Sequence, residues 1–145
     1  MSHIDALLQC VDEQSALLND FIQLLEAENA LLLETPSNEA LGSLTTRKND
    51  YARRLGELDQ ARSDLLTAME QPADRAGIDT VCAMHPDLRP AFDMLFEQAA
   101  QASALNQSNG QILQTFIDHN QQALDTLRSL MGQDLYDARG RLSNK

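Results

Sequence analysis

The residues in this chain equipped for chemistry are three histidines, two cysteines, twenty-two carboxylates and a group of asparagines late in the sequence. His3, His85 and His119 are far apart and must sit on different elements. None completes the Glu-x-x-His spacing with which helical bundles hold a pair of metal ions. Cys82 and His85 are three residues apart, yet zinc needs three or four ligands and no further cluster accompanies them. His85, just ahead of Pro86, reads as a residue that ends a helix. No glycine-rich phosphate loop is present, nor a Ser-His-Asp or Cys-His set with a supporting context. The carboxylates fall on helical positions where solvation is the default. The expectation is a protein with no catalytic residue, no metal and no cofactor: not an enzyme.

A second kind of chemistry is recognition. Asn106, Asn109 and Asn120 fall close to a seam spacing shared with Leu95, Leu113, Phe116 and Leu127. Asparagine in a helical seam lowers stability and specifies register or partner. The other reading is a stretch exposed to solvent where a long helix outruns its neighbours, and both stand at this point. The cluster from Ile112 to Leu127 reads first as core and second as interface. Tyr136, in a charged tail, brings large contact area with few rotors and suits an anchor. A tail folded back over the end of a bundle is the alternative.

Long helices must position these residues. Ile4, Leu8, Val11, Ser15, Leu18, Ile22, Leu25, Asn29 and Leu32 form an unbroken heptad with alternating spacings of four and three. A second stripe runs beside it through Leu7, Cys10, Leu17, Phe21, Leu24 and Leu31. So wide an apolar face belongs to a helix of roughly 45 Å buried against more than one neighbour. It is expected from about Ser2, its cap, to Leu33. Cys10 on that face reads as a buried free thiol, and two lone cysteines do not suggest a disulfide scaffold.

Pro36 interrupts the helix, and Ser37 or Asn38 can cap a second one from about Glu39 to Glu70. Its seam is Leu41, Leu44, Lys48, Tyr51, Leu55, Leu58, Arg62, Leu65 and Met69, with two charged entries. So short a connection makes the pair an antiparallel hairpin. Pro72, Gly77, Pro86 and Pro90 mark a connection holding one short helix near 75–83. A third long helix is expected from about Pro86 to Leu130. Its middle, Ala99 to Asn109, is thin in large apolar residues, and Gly110 can mark a bend.

The fold class expected is all-α: an antiparallel hairpin plus a long third helix in a coiled-coil-like bundle, with a short connecting helix. The bundle domain is placed at 1–132 and a flexible tail at 133–145. The composition agrees, with no Trp, six aromatics, six Gly and four Pro in 145 residues. A net charge of −11 argues against nucleic acid as a direct ligand. Residues 1–46 hold eight acidic residues and no Lys or Arg, whereas Arg47, Lys48, Arg53, Arg54 and Arg62 follow closely. Ordinary cross-helix pairing between the two, at most about 1 kcal/mol per pair, is the simplest use of that asymmetry. No segment suits membrane insertion, and Met-Ser-His-Ile-Asp lacks the basic start of a secretory signal, so a cytoplasmic protein is expected.

Four sequence elements resemble the FlgN-type flagellar export chaperones. They are Leu-Leu-Glu-Ala-Glu-Asn-Ala-Leu-Leu-Leu ending the first helix, Leu-x-x-Leu-x-x-Arg-Lys at 41–48, Asn-x-x-Asn-Gly at 106–110 and Leu-Tyr-Asp-Ala-Arg-Gly-Arg at 135–141. The resemblance spans nearly the whole chain, and its last two elements are the most specific. It implies a cytoplasmic, all-helical chaperone without enzymatic activity. Such a protein binds the C-terminal amphipathic helices of hook–filament junction proteins and delivers them to the flagellar export gate. Asn106, Asn109, Gly110, Leu113, Phe116 and Ile117 are then the implied client-binding residues. Leu135 and Tyr136 are the implied gate contact. A monomer or a weak homo-oligomer is expected. The rival expectation is a self-associating coiled-coil adaptor with no export client.

Overall fold

A computed structural model describes residues 2–34 and 36–131, without the side chains of Phe116, His119, Asn120 and residues 122–131. Four helices follow in order: α1 (His3–Leu32), α2 (Asn38–Ala68), α3 (Arg75–Met84) and α4 (Leu88–Met131). There is no strand among the described residues. The chain divides into two compact units, one ending at Asn109 and the second starting at Gly110. Within the second, the described residues continue α4 as helix through Gly110 to Met131.

Local chemistry sets the helix ends. The Ser2 hydroxyl accepts from the Asp5 amide at 3.1 Å, and the Ser37 hydroxyl accepts from the Ala40 amide at 3.1 Å. Each satisfies an amide that the first turn leaves without a partner. Glu70, at φ 59°, takes the left-handed conformation that closes α2. Its amide reaches Thr67 O at 3.0 Å and the Gln71 amide reaches Leu66 O at 2.9 Å, the paired bonds of a left-handed helix terminus. Asp74 caps α3 through the Gly77 amide at 3.1 Å, and His85 ends it, as its place before Pro86 implies.

Gly77 also answers to a close approach. A Cβ there would lie 1.8 Å from the carbonyl oxygen of Pro72, a backbone atom that cannot rotate away. Gly77→Ala is expected to destabilise the first unit by about 2 kcal/mol, the cost of an overpacked site. Urea unfolding measures it, and a midpoint equal to the parent's would contradict the contact. Gly42 and Gly56 meet nothing within 4 Å and carry no such constraint.

The hairpin is antiparallel. Cys10 and Gln14 face Leu58, Asp59 and Arg62, Phe21 faces Tyr51 and Glu28 faces Lys48, so from the start of α1 to its end the facing positions in α2 fall. Within the first unit α4 runs the other way, parallel to α1. Leu95 lies with Gln14 and Leu18 around one cavity, and Asn109 meets Leu25, Glu28 and Asn29. The core joins α1 (Leu7, Val11, Leu18, Ile22, Leu25), α2 (Leu66), α3 (Ile78, Val81, Cys82) and α4 (Leu88, Phe92, Leu95, Ala102). Phe92 is fully buried, with its ring 6.0 Å from that of Phe96, on whose face the Arg75 guanidinium rests at 4.0 Å. The thin middle of α4 is nonetheless buried at Ala102 and at Asn109, and Asn109 meets α1.

Candidate functional site: a buried polar layer and the aliphatic residues of α4

The residues singled out on α4 divide sharply. Asn106 is exposed, while Asn109, three positions on, is 1 % exposed. The Asn109 amide nitrogen donates to the Leu25 carbonyl at 2.8 Å and to Glu28 Oε1 at 2.9 Å. Its oxygen accepts from Asn29 Nδ2 at 3.0 Å. Both amide hydrogens are thus used, and the buried group carries no unmet donor. The Glu28 carboxylate also takes the Lys48 ammonium at 3.2 Å on each oxygen. Three helices meet in this one layer.

Glu28 overturns the expectation that the carboxylates are solvated, since its side chain is 9 % exposed. A second polar layer lies further toward the start of α1. Gln14, also buried, receives a hydrogen bond from Arg62 at 2.5 Å and gives one to Asp59, while Arg62 pairs with Asp59 at 3.3 Å. The remaining basic residues of α2 pair mostly within their own helix: Arg53 with Asp50 and Glu57, and Arg54 with Asp50. Charge pairing between α1 and α2 is therefore made at Lys48 and Glu28, whereas Arg62 crosses to the neutral Gln14 and pairs with Asp59 of its own helix.

In the second unit Gly110 is exposed, Ile112 and Leu113 are half-buried, and Ile117 is 49 % exposed. Leu113 and Ile117, four residues apart, share a side of the helix. The side chain of Phe116 and all of Leu135 and Tyr136 lie outside the described residues.

A family model described as "FlgN protein" matches residues 1–144. The chain belongs to the FlgN family. Its relatives include the Flagella synthesis protein FlgN of Salmonella typhimurium, 30 % identical over 138 residues, which cover 94 % of this chain and 90 % of that one. The protein of that name from Proteus mirabilis is also 30 % identical over the same coverage, and that from Escherichia coli is 26 % identical. No solved structure gives a significant match.

Two buried polar residues of this FlgN chain, Gln14 and Glu28, escaped the reading of the sequence. A pattern does reveal them: they fill the two gaps in the stripe Leu7, Cys10, Leu17, Phe21, Leu24, Leu31. Their partners, Arg62 and Lys48, are the two charged entries in the seam of α2. Cys10 and Cys82 are buried free thiols, as expected for Cys10. Burial pushes both thiols above their ordinary range; Arg62 opposes this at Cys10 and Arg89 at Cys82. Among the described residues no three His, Cys, Asp or Glu side chains are grouped to hold a metal ion. No described helix is long and apolar enough to cross a membrane.

Proposed function

We propose that this FlgN-family chain acts in flagella synthesis as a cytoplasmic export chaperone. Its clients are the C-terminal amphipathic helices of hook–filament junction proteins, held on α4 beyond Asn109. It keeps them from premature assembly and delivers them to the flagellar export gate, which Leu135 and Tyr136 of the 133–145 tail engage. The observation that carries this reading is the family match over residues 1–144, beside relatives named for flagella synthesis. The physical support is the aliphatic face at Ile112, Leu113 and Ile117. An amphipathic client helix would lay its own apolar face on such a surface. The chain needs no cofactor for this, and it works as a monomer or a weak oligomer that exchanges for client.

Isothermal titration with peptides from the C-terminal helices of junction proteins tests the proposal. One-to-one binding with a negative heat-capacity change is expected, as for burial of apolar surface. Leu113→Ala with Ile117→Ala removes about 2–3 kcal/mol of apolar contact, roughly thirty-fold or more in affinity, with helicity retained. Absence of binding, with a dimer that persists on dilution, would instead support the self-associating adaptor.

A further inference from the structure

Leu88, Leu95, Ala102 and Asn109 are spaced by sevens along α4, and all four are buried. Three are apolar, as a seam demands; the last is an amide whose donors and acceptor are all engaged by α1. Those partners exist in one register only. Sliding α4 by one turn, about 5 Å, would bring Leu105 or Leu113 opposite Glu28 and leave the Asn109 amide against apolar neighbours. A buried amide without partners is strongly disfavoured, so the slid arrangement is suppressed. The apolar members also oppose the slide, since Ala91 or Ala99 would replace Leu95 and Gln98 or Asn106 would replace Ala102; Asn109 adds to this the loss of every hydrogen bond of a buried amide at once.

We infer that Asn109 is a positioning residue that fixes the register of α4 on the α1–α2 hairpin. It thereby decides which α4 residues remain for a client, and that second half rests on the export-chaperone reading. Asn109 does not itself touch the client. Its neighbour in the same motif, the exposed Asn106, is free to do so. Lys48 belongs to the same device, because it holds the Glu28 carboxylate where Asn109 meets it.

The test is a distance measurement. Spin labels at Gln9→Cys and Ser108→Cys, both exposed positions, are placed in a Cys10→Ser, Cys82→Ala background. They should give one narrow distance in the otherwise unaltered chain. Asn109→Leu should add a second distance shifted by about 5 Å, one helical turn, whereas Asn106→Leu should keep the single distance. A merely structural role for Asn109 would lower stability without creating a second distance. A single, unshifted distance in Asn109→Leu therefore overturns the inference; Asn109→Ala is read the same way if the Leu variant loses helicity. Binding of client peptide by Asn109→Leu should fall about tenfold, while the single distance of Asn106→Leu persists whatever its affinity. If the unaltered chain binds no client peptide, the chaperone reading fails, and the register result stands or falls on the distances alone.

Discussion

Replacing Phe92 with alanine should lower the stability of the first unit by about 4 kcal/mol, the upper range for a large buried side chain. Phe92 has no exposed surface and joins a core cluster fed by all four helices. Truncation opens a cavity within that cluster, and the void adds to the lost burial of the ring. For a chain of this length the loss corresponds to roughly 8–16 °C in melting temperature. Met94→Ala, two residues on and 56 % exposed, should change stability by no more than about 0.5 kcal/mol. Thermal unfolding of the pair checks both halves. Similar melting temperatures for the two variants would mean that α4 does not pack through Phe92.

The second large effect is electrostatic. Lys48→Met should cost about 2–3 kcal/mol, although lysine on a helix surface is normally worth little. The reason is what it leaves behind: Glu28, 9 % exposed, keeps its charge but loses its cation. That cost lies below the usual range for a broken buried pair, because the Lys48 side chain is 25 % exposed and water reaches that edge. Adding Glu28→Gln should restore the variant to within about 1 kcal/mol of the parent, since glutamine still accepts from Asn109 and carries no charge. Urea denaturation of the single and double variants gives the coupling. A Lys48→Met protein as stable as the parent would reduce the pair to an ordinary surface contact.

Helix existence and order, and the antiparallel turn between α1 and α2, were legible in the sequence because each rests on local chemistry; the parallel run of α4 along α1 was not. The heptad from Ile4 to Leu32, the restart at Pro36–Ser37 and the short segment before His85 fall within a residue or two of α1, α2 and α3. What escaped was non-local. Glu28 in isolation looks like one more acidic residue of an acidic segment, and only the facing Lys48 in the seam of α2 marks it as buried. Asn106 and Asn109 have the same type and nearly the same seam position. A helical step of about 100° per residue puts one outward and the other against Leu25. The two charges in the seam of α2 are the counterparts of two gaps in α1.

The order in which α4 finds α1 has a consequence for synthesis. The partners within the hairpin are separated by 20 to 48 residues, but Asn109 and Glu28 are separated by 81. Close pairs form first and distant ones last. A ribosome completes the two hairpin helices while Phe92 and Asn109 are still unmade. At ordinary elongation rates, roughly 5–20 residues per second, the stretch from Ala68 to Asn109 takes several seconds. Throughout that interval Val11, Leu18 and Leu25 present an uncovered aliphatic strip. The nascent chain thus spends its first seconds as an incomplete bundle in need of a helix, which its own α4 then supplies.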